Sequence, residues 1–239
     1  MERLTLFTGG TGLLGSEIKK IDPINFLYPS HNSFDVTDYD FMKSFLGFSK
    51  HSFKTIIHAA ALISPPIVNK EPIKAIETNI IGTANIVRLC IEEKLRLIYI
   101  STDYVFDGKK GLYTEEDPVN PVNTYAWSKL GGECSVRLYP NSLIIRTSFS
   151  PNEFPYPKAF IDQWTTREPV AITALRILKL ANSELCGTIH IGGIRQTVKN
   201  YAIKSGKTNV QDLSIKDVDF RVPKDTSLDT TKYRILMER

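Results

Sequence analysis

Cysteine is scarce in this chain. Cys90, Cys134 and Cys186 are the only three in 239 residues, they lie far apart, and their number is odd. A disulfide-framed small domain is therefore excluded, and the spacing matches no zinc knuckle or ribbon. The four histidines are scattered as well, so no metal site is expected. No apolar run is long enough to span a bilayer, and no signal-peptide pattern precedes the first strand candidate. The expected setting is the reducing cytoplasm, with no membrane partner. Basic residues outnumber acidic ones only 30 to 26, for a net charge of +4, and they form no stripe. With no zinc finger or RNA-reading motif, nucleic acid is not an expected partner either. Internal repeats and low-complexity segments are also missing, which excludes a solenoid.

What is present is a chain able to build a sizeable core, with 42% hydrophobic residues. Apolar runs at 4–8, 25–28, 55–58, 97–101, 142–146 and 187–191 read as strands. Between them, helical patterns occupy 13–20, a segment opened by residues 35–38 and ending near Gly47, 72–90, 125–138 and 170–180. The alternation predicts an α/β fold, a Rossmann-type doubly wound and mostly parallel sheet, with a small C-terminal substrate-binding lobe. The nucleotide-binding region is expected over 1–148 and a reduced substrate-binding region over 149–239, some of its segments returning to the core. A long loop is expected at 102–121, a proline-rich one at 150–157, and a short helix at 196–205. The tail from 220 to 231 has little periodicity and is expected to cover the cleft.

Two motifs carry chemistry. Gly9, Gly12 and Gly15 stand at G-x-x-G-x-x-G spacing directly after the first strand. That pattern permits a tight turn, close backbone approach to a pyrophosphate, and tight helix–sheet packing, with Leu13 and Leu14 in the same turn. The start of the next helix offers oriented N–H groups to phosphate. An acid at the end of the second strand would bind both ribose hydroxyls of NAD. Here Ser30, His31 and Asn32 follow Tyr28 and Pro29 instead, as candidates to tolerate or bind a 2′-phosphate. NADP(H) is therefore the preferred cofactor, with NAD(H) as the alternative. Asp35 is a candidate for the adenine side, or a cap for the following helix.

Tyr125 and Lys129 are four residues apart, so a helix places them on one face. An ammonium below a phenol lowers its pKa and eases proton transfer. Thr102 follows a strand, where its hydroxyl can polarise a substrate carbonyl. Ser101, Asp103 and Tyr104 adjoin it. Asn79 lies inside the 72–90 helix as a candidate relay or helix-bending residue.

These stretches resemble the extended short-chain dehydrogenase/reductases, and most closely the dTDP-4-dehydrorhamnose reductase branch. The resemblance runs through residues 8–15, 35–38, 58–61, 79–85, 101–108, 125–133, 162–163 and 221–232. It implies Thr102, Tyr125 and Lys129 as the catalytic trio. It also implies Ala59, Ala60 and Ala61 beside the cofactor, and Ser101 and Asn79 on the same wall. The implied reaction reduces a 4-keto group on a nucleotide-linked deoxysugar, NADPH giving hydride and Tyr125 the proton. Thr102, Asp103, Tyr104, Tyr125 and Arg221 are the implied substrate contacts, with Arg221 pairing with diphosphate. A homodimer is expected. The chain departs from the branch at 149–164, which is compressed and carries Pro151, Pro155 and Pro157. That departure keeps two alternatives open. One is a non-catalytic NADP-binding regulatory subunit like that of methionine adenosyltransferase. The other is a reductase or epimerase acting on a different nucleotide sugar.

Overall fold

The computed structural model describes residues 3–237. Strands β1 (Leu4–Thr8), β2 (Phe26–Leu27), β3 (Phe53–His58), β4 (Arg96–Thr102) and β5 (Ser142–Thr147) come from the first two-thirds of the chain. β4 and β5 are buried at every position, as expected of strands covered on both faces. The chain continues through β6 (Phe149–Ser150), β7 (Lys158–Phe160), β8 (Trp164–Thr165), β9 (Glu168–Pro169) and β10 (Gly187–His190). The main sheet is parallel throughout, in the order β10-β5-β4-β3-β1-β2. It is a doubly wound, Rossmann-type sheet. From β1 the chain moves outward to β2, then crosses back to β3 on the other side. The connections after β1 and β3 therefore diverge, and a crevice opens at their carboxyl ends.

Strand alternation sends side chains to two cores. Phe7, Ile57, Ile98 and Ile145 face one, with Leu14 and Ile18 of α1 (Leu13–Ile21) and Ala174 and Ile177 of the helix at Val170–Ala181. Leu6, Ile56, Leu97 and Ile144 face the other. There they meet Met42 of α2 (Tyr39–Phe48), and Ile86 and Leu89 of the helix at Gly82–Glu92.

The segment expected as one helix from 72 to 90 is more structured than its pattern suggests. After α3 (Pro65–Lys70), a short helix with no sequence periodicity to announce it, come α4 (Pro72–Ala75), a π turn at Ile76–Ile81 and α5 (Gly82–Glu92). Helical dihedrals continue across both joints. The π turn widens the helix where Asn79 is buried, and such turns often lie beside functional sites. α6 (Thr124–Val136) follows, capped by Asn123, whose side chain accepts from the Ala126 N–H at 2.9 Å. Inside the expected 102–121 loop, Asp103–Val105 forms a single 3₁₀ turn.

Beyond β5 the strands shorten to two to four residues. α7 (Val170–Ala181) and β10 return to the main sheet. β11 (Gln196–Thr197) pairs antiparallel with β8, so the helix expected from 196 begins only at α8 (Val198–Lys204). Thr197 ends the strand and caps the helix, accepting from Asn200 N–H at 3.1 Å. β12 (Gln211–Leu213) pairs with β7, and β6 with β9, to make the smaller C-terminal lobe. The tail runs irregularly back over the 103–113 region. Thr226 reaches Asp103, and Tyr113 N–H donates to Ser227 O. α9 (Thr231–Met237) follows. No helix among the described residues is long and apolar enough to cross a membrane.

Candidate active site

A cleft of about 1090 Å³ follows the carboxyl ends of β1, β3, β4 and β5. Its first wall is the glycine turn. Gly9 holds φ at +75°, and a Cβ there would lie 2.8 Å from Ala60 N. Gly12 N–H donates to Gly9 O at 2.9 Å, closing the turn. Gly12 also begins α1 without any side-chain cap, leaving the first helical N–H groups open for an anion. Gly15 is packed behind the turn, where a Cβ would come within 2.5 Å of Gly10 Cα. Backbone this bare and this close fits the pyrophosphate of a dinucleotide. Gly9, Gly12, Leu13 and Leu14 line the cleft, whereas Gly15 supports it from outside.

Next to this turn, Pro29, His31 and Asp35 line the wall beyond β2, while Ser30 and Asn32 do not. Asp35 Oδ1 accepts from Thr37 N–H at 2.9 Å and Thr37 hydroxyl at 2.8 Å, and His31 Nε2 lies 3.6 Å from Oδ2. The cap of α2 is Asp38, accepting from Phe41 N–H at 2.9 Å. Ala59, Ala60 and Ala61 form the adjoining floor. Beneath it His58 is wedged between Thr8 and Thr83 hydroxyls at 2.7 and 3.0 Å. Burial, aided by the Lys129 charge, holds its pKa down at about 3, so it is a neutral pin. Asn79 lies behind the wall. Its amide accepts from Leu62 N–H at 2.7 Å and donates to Leu62 O and Ser128 Oγ, both at 2.8 Å. It fastens the floor loop to α6 and does not line the cleft.

The chemical end contains Ser101, Thr102, Asp103, Tyr104, Tyr125 and Lys129, all lining the same cleft. β4 ends at Thr102, and α6 places Tyr125 and Lys129 one turn apart. Contrary to the expectation that the Lys129 charge lowers it, the Tyr125 pKa is raised by burial, and the Thr102 hydroxyl, within hydrogen-bond reach, opposes that rise. Lys129 is buried with its Nζ 4.2 Å from the centre of the Tyr99 ring. Desolvation pulls its pKa down to about 7, and the Glu133 carboxylate resists. Asp103 is pushed up to about 6 by burial, against hydrogen bonds from Thr226 (2.6 Å) and Thr102 (3.2 Å).

The residues 125, 129 and 133 make one stripe on α6, and Glu133 is the member to which the sequence assigns no role. It is fully buried and joined to fully buried Arg146 at 2.5 Å, while Ser101 hydroxyl donates to it at 2.8 Å. His190 accepts from Arg146 at 3.4 Å, and its other ring nitrogen bonds Tyr113 O at 3.0 Å. Burial and the Arg146 charge keep this histidine neutral, near pKa 3. The i, i+4, i+8 spacing was a usable signal for Glu133. Thr147, Ser148, Gln163 and Arg167 complete the wall from the C-terminal side; Gln163 lies in the 162–163 stretch of resemblance and Thr147 and Ser148 follow the family layout, whereas nothing in the sequence marked Arg167. Tyr104 is oriented there by Gln163, whose amide donates to its phenol at 2.8 Å. Arg221 is exposed and does not line the cleft; its carbonyl accepts from Asn123 at 3.1 Å. No group of three or more His, Cys, Asp or Glu side chains converges among the described residues.

Comparison with known proteins agrees with this architecture. Methionine adenosyltransferase 2 subunit beta of Rattus norvegicus is 27% identical over 236 residues, covering 82% of this chain and 69% of its own. dTDP-4-dehydrorhamnose reductase of Aggregatibacter actinomycetemcomitans is 35% identical over 162 residues, 64% of this chain and 53% of its own. A solved structure described as a hypothetical dTDP-4-dehydrorhamnose reductase from Sulfolobus tokodaii superposes with a TM-score of 0.86 at 29% identity. It covers 98% of this chain and 94% of its own. The dTDP-4-dehydrorhamnose reductase of Bacillus anthracis, solved in complex with NADP, gives 0.86 at 25% identity, covering 98% and 92%. The sequence model of the RmlD substrate binding domain matches residues 3–196, and the chain belongs to that family.

Proposed function

We propose that this protein is an oxidoreductase that reduces the 4-keto group of a nucleotide-linked deoxysugar, with NADPH preferred over NADH. The observation that carries this reading is the sharing of one cleft by Thr102, Tyr125 and Lys129 with the bare glycine turn. Gly9, Gly12, Leu13 and Leu14 would hold the cofactor pyrophosphate, Asp35 and His31 its adenosine half, and Ala59 to Ala61 its flank. When bound, the cofactor supplies the hydride. Thr102 hydroxyl hydrogen-bonds the substrate carbonyl oxygen, and Tyr125 hydroxyl donates the proton that completes the alcohol. Lys129 then faces the phenolate left behind and stabilises it by charge. Glu133 supports the charged form of Lys129 from beneath. NADPH is favoured because no carboxylate stands at the end of β2, and Asp35 is already engaged by Thr37. A cytoplasmic homodimer belongs to the same reading.

A second reading, a regulatory subunit that binds NADP without turnover, is favoured by one observation. The match to methionine adenosyltransferase 2 subunit beta spans more of this chain than the match to the reductase of A. actinomycetemcomitans. The test titrates purified protein with NADPH and NADH, then follows cofactor oxidation against dTDP-4-keto-6-deoxy sugars. The reductase reading expects tighter NADPH binding and turnover. Tight binding without turnover across a keto-sugar panel would favour the regulatory reading, and absence of cofactor binding would overturn both.

A further inference from the structure

Besides Lys129, the basic side chains lining the cleft are His31, Lys74, Lys158 and Arg167. Lys74 is exposed and paired with Glu71 at 3.2 Å. His31 and Lys158 are exposed on the rim. Arg167 differs from these. It is half-buried, and among the described residues it forms no ion pair with an acid.

Local structure explains where it points. Glu168, the next residue, turns toward α7. Its carboxylate lies 3.4 Å from Arg176 Nε and 3.2 Å from the Thr173 hydroxyl. Adjacent residues of extended chain face opposite sides, so Arg167 faces the cleft. The backbone around it is pinned. Glu168 N–H donates to Ser148 O at 3.2 Å, Gly193 N–H to Thr166 O at 2.7 Å, and Arg167 N–H to Thr165 Oγ1 at 3.0 Å. Arg167 Nε donates to Ser148 Oγ at 3.3 Å. That fixes the plane of the guanidinium with one of its five donors and leaves the Nη1–Nη2 edge for a ligand.

Its charge acts on Asp103 and Tyr104, which directly follow Thr102. Arg167 therefore belongs to the reacting end of the cleft, away from the glycine turn. Asp103 does not neutralise it, being occupied by Thr226 and Thr102 and outside ion-pair distance. A half-buried cation on a rigid ledge, with a free two-donor edge, is suited to a pair of anionic oxygens.

We propose that Arg167 is the anion receptor of the substrate half of the cleft, gripping a phosphate or carboxylate of the bound sugar nucleotide. The inference rests on the nucleotide-sugar reading above. It moves to Arg167 the anchoring role expected from Arg221, which lies outside the cleft.

The test is equilibrium binding by calorimetry, with no turnover involved, so its failure is separable from failure of the reductase reading. dTDP, UDP, UDP-glucose and UDP-glucuronic acid would be titrated into the full chain and into Arg167→Gln, Arg167→Lys and Arg221→Gln. Arg167→Gln should weaken binding by roughly tenfold or more, as loss of a charged hydrogen-bonding partner implies. Arg167→Lys should fall between, and Arg221→Gln should bind like the native chain. An equal loss for UDP and UDP-glucuronic acid supports the proposal with diphosphate as the gripped group. A loss confined to UDP-glucuronic acid supports it with the sugar carboxylate. Native affinity for all four ligands in Arg167→Gln would overturn it and leave the nucleotide-sugar reading intact, whereas failure of the native chain to bind any would overturn both. Thermal melting monitors folding; if Arg167→Gln melts early, native affinity in Arg167→Lys overturns the proposal.

Discussion

The two walls of the cleft are built differently. The wall formed by residues 9–14, 59–61, 101–104 and 125–129 hangs from five- to seven-residue strands and a thirteen-residue helix. Its side chains are placed by the regular periods of strand and helix. The opposite wall, from 148 to 167, hangs from two- and three-residue strands. It is held by individual bonds between distant segments, such as Trp164 N–H to Lys224 O at 2.7 Å and Gln163 to Tyr104 at 2.8 Å. The difference suggests a division of labour. Proton transfer needs groups fixed to a fraction of an ångström, and rigid elements provide that. Substrate choice can be altered in short pinned segments without disturbing the sheet.

Breaking one ion pair behind each wall should separate them most clearly. Removing one partner of a buried pair leaves an uncompensated charge, so Glu133→Ala or Arg146→Ala should cost about 3–5 kcal/mol of stability. The Arg195–Asp225 pair, 2.6 Å long with Arg195 38% exposed, should matter far less. Its loss in Arg195→Ala should cost no more than about 1 kcal/mol, as for other partly exposed pairs. Urea unfolding of these variants checks both expectations, and equal costs would erase the distinction.

A smaller effect is expected at the glycine turn. In Gly15→Ala the new methyl would meet the Gly10 backbone at 2.5 Å, and the turn must shift. The expected cost is about 1–3 kcal/mol, as for overpacked interiors, together with weaker NADPH binding. Binding of UDP at the other wall should change little; calorimetry with each ligand measures the contrast.

The smallest effect is a difference in pH dependence. Asp103 has its pKa raised to about 6 in the folded chain, chiefly by burial. A raised carboxyl contributes stability that is full below its unfolded value and is lost as pH rises through about 6. Asp103→Asn cannot lose it. The stability of Asp103→Asn relative to the native chain should therefore rise between pH 4 and pH 6, an interval bounded by about the unfolded and folded values. Unfolding curves across that interval check the sign.

The walls also differ in how far they could be read from the sequence. The apolar runs of β1, β3, β4 and β5 marked the sheet, because fully buried strands have little freedom in composition. Tyr125 and Lys129 were legible because four residues is one helical turn. Glu133 continued that stripe, but its meaning required Arg146, thirteen residues away and on another element. Asn79 was visible as a candidate relay or helix-bending residue, yet its bonding to Leu62 and Ser128 depends on a π turn that no periodicity announces. Ser30, His31 and Asn32 read alike as candidates for a 2′-phosphate, yet only His31 lines the cleft, because the turn geometry decides which residues of a polar loop face it. The opposite wall was hidden for a simpler reason. Two-residue strands have no period, and Arg167, just before β9, owes its direction to bonds with Thr165 and Ser148.

The central claim is that Tyr125 is the proton donor on the rigid wall. The most direct measurement is the rate of NADPH oxidation by Tyr125→Phe with a dTDP-4-keto-6-deoxy sugar, beside its NADPH affinity. A general-acid role predicts a fall in turnover of about 10²–10⁴-fold, with NADPH affinity preserved. Native turnover in Tyr125→Phe would contradict the account.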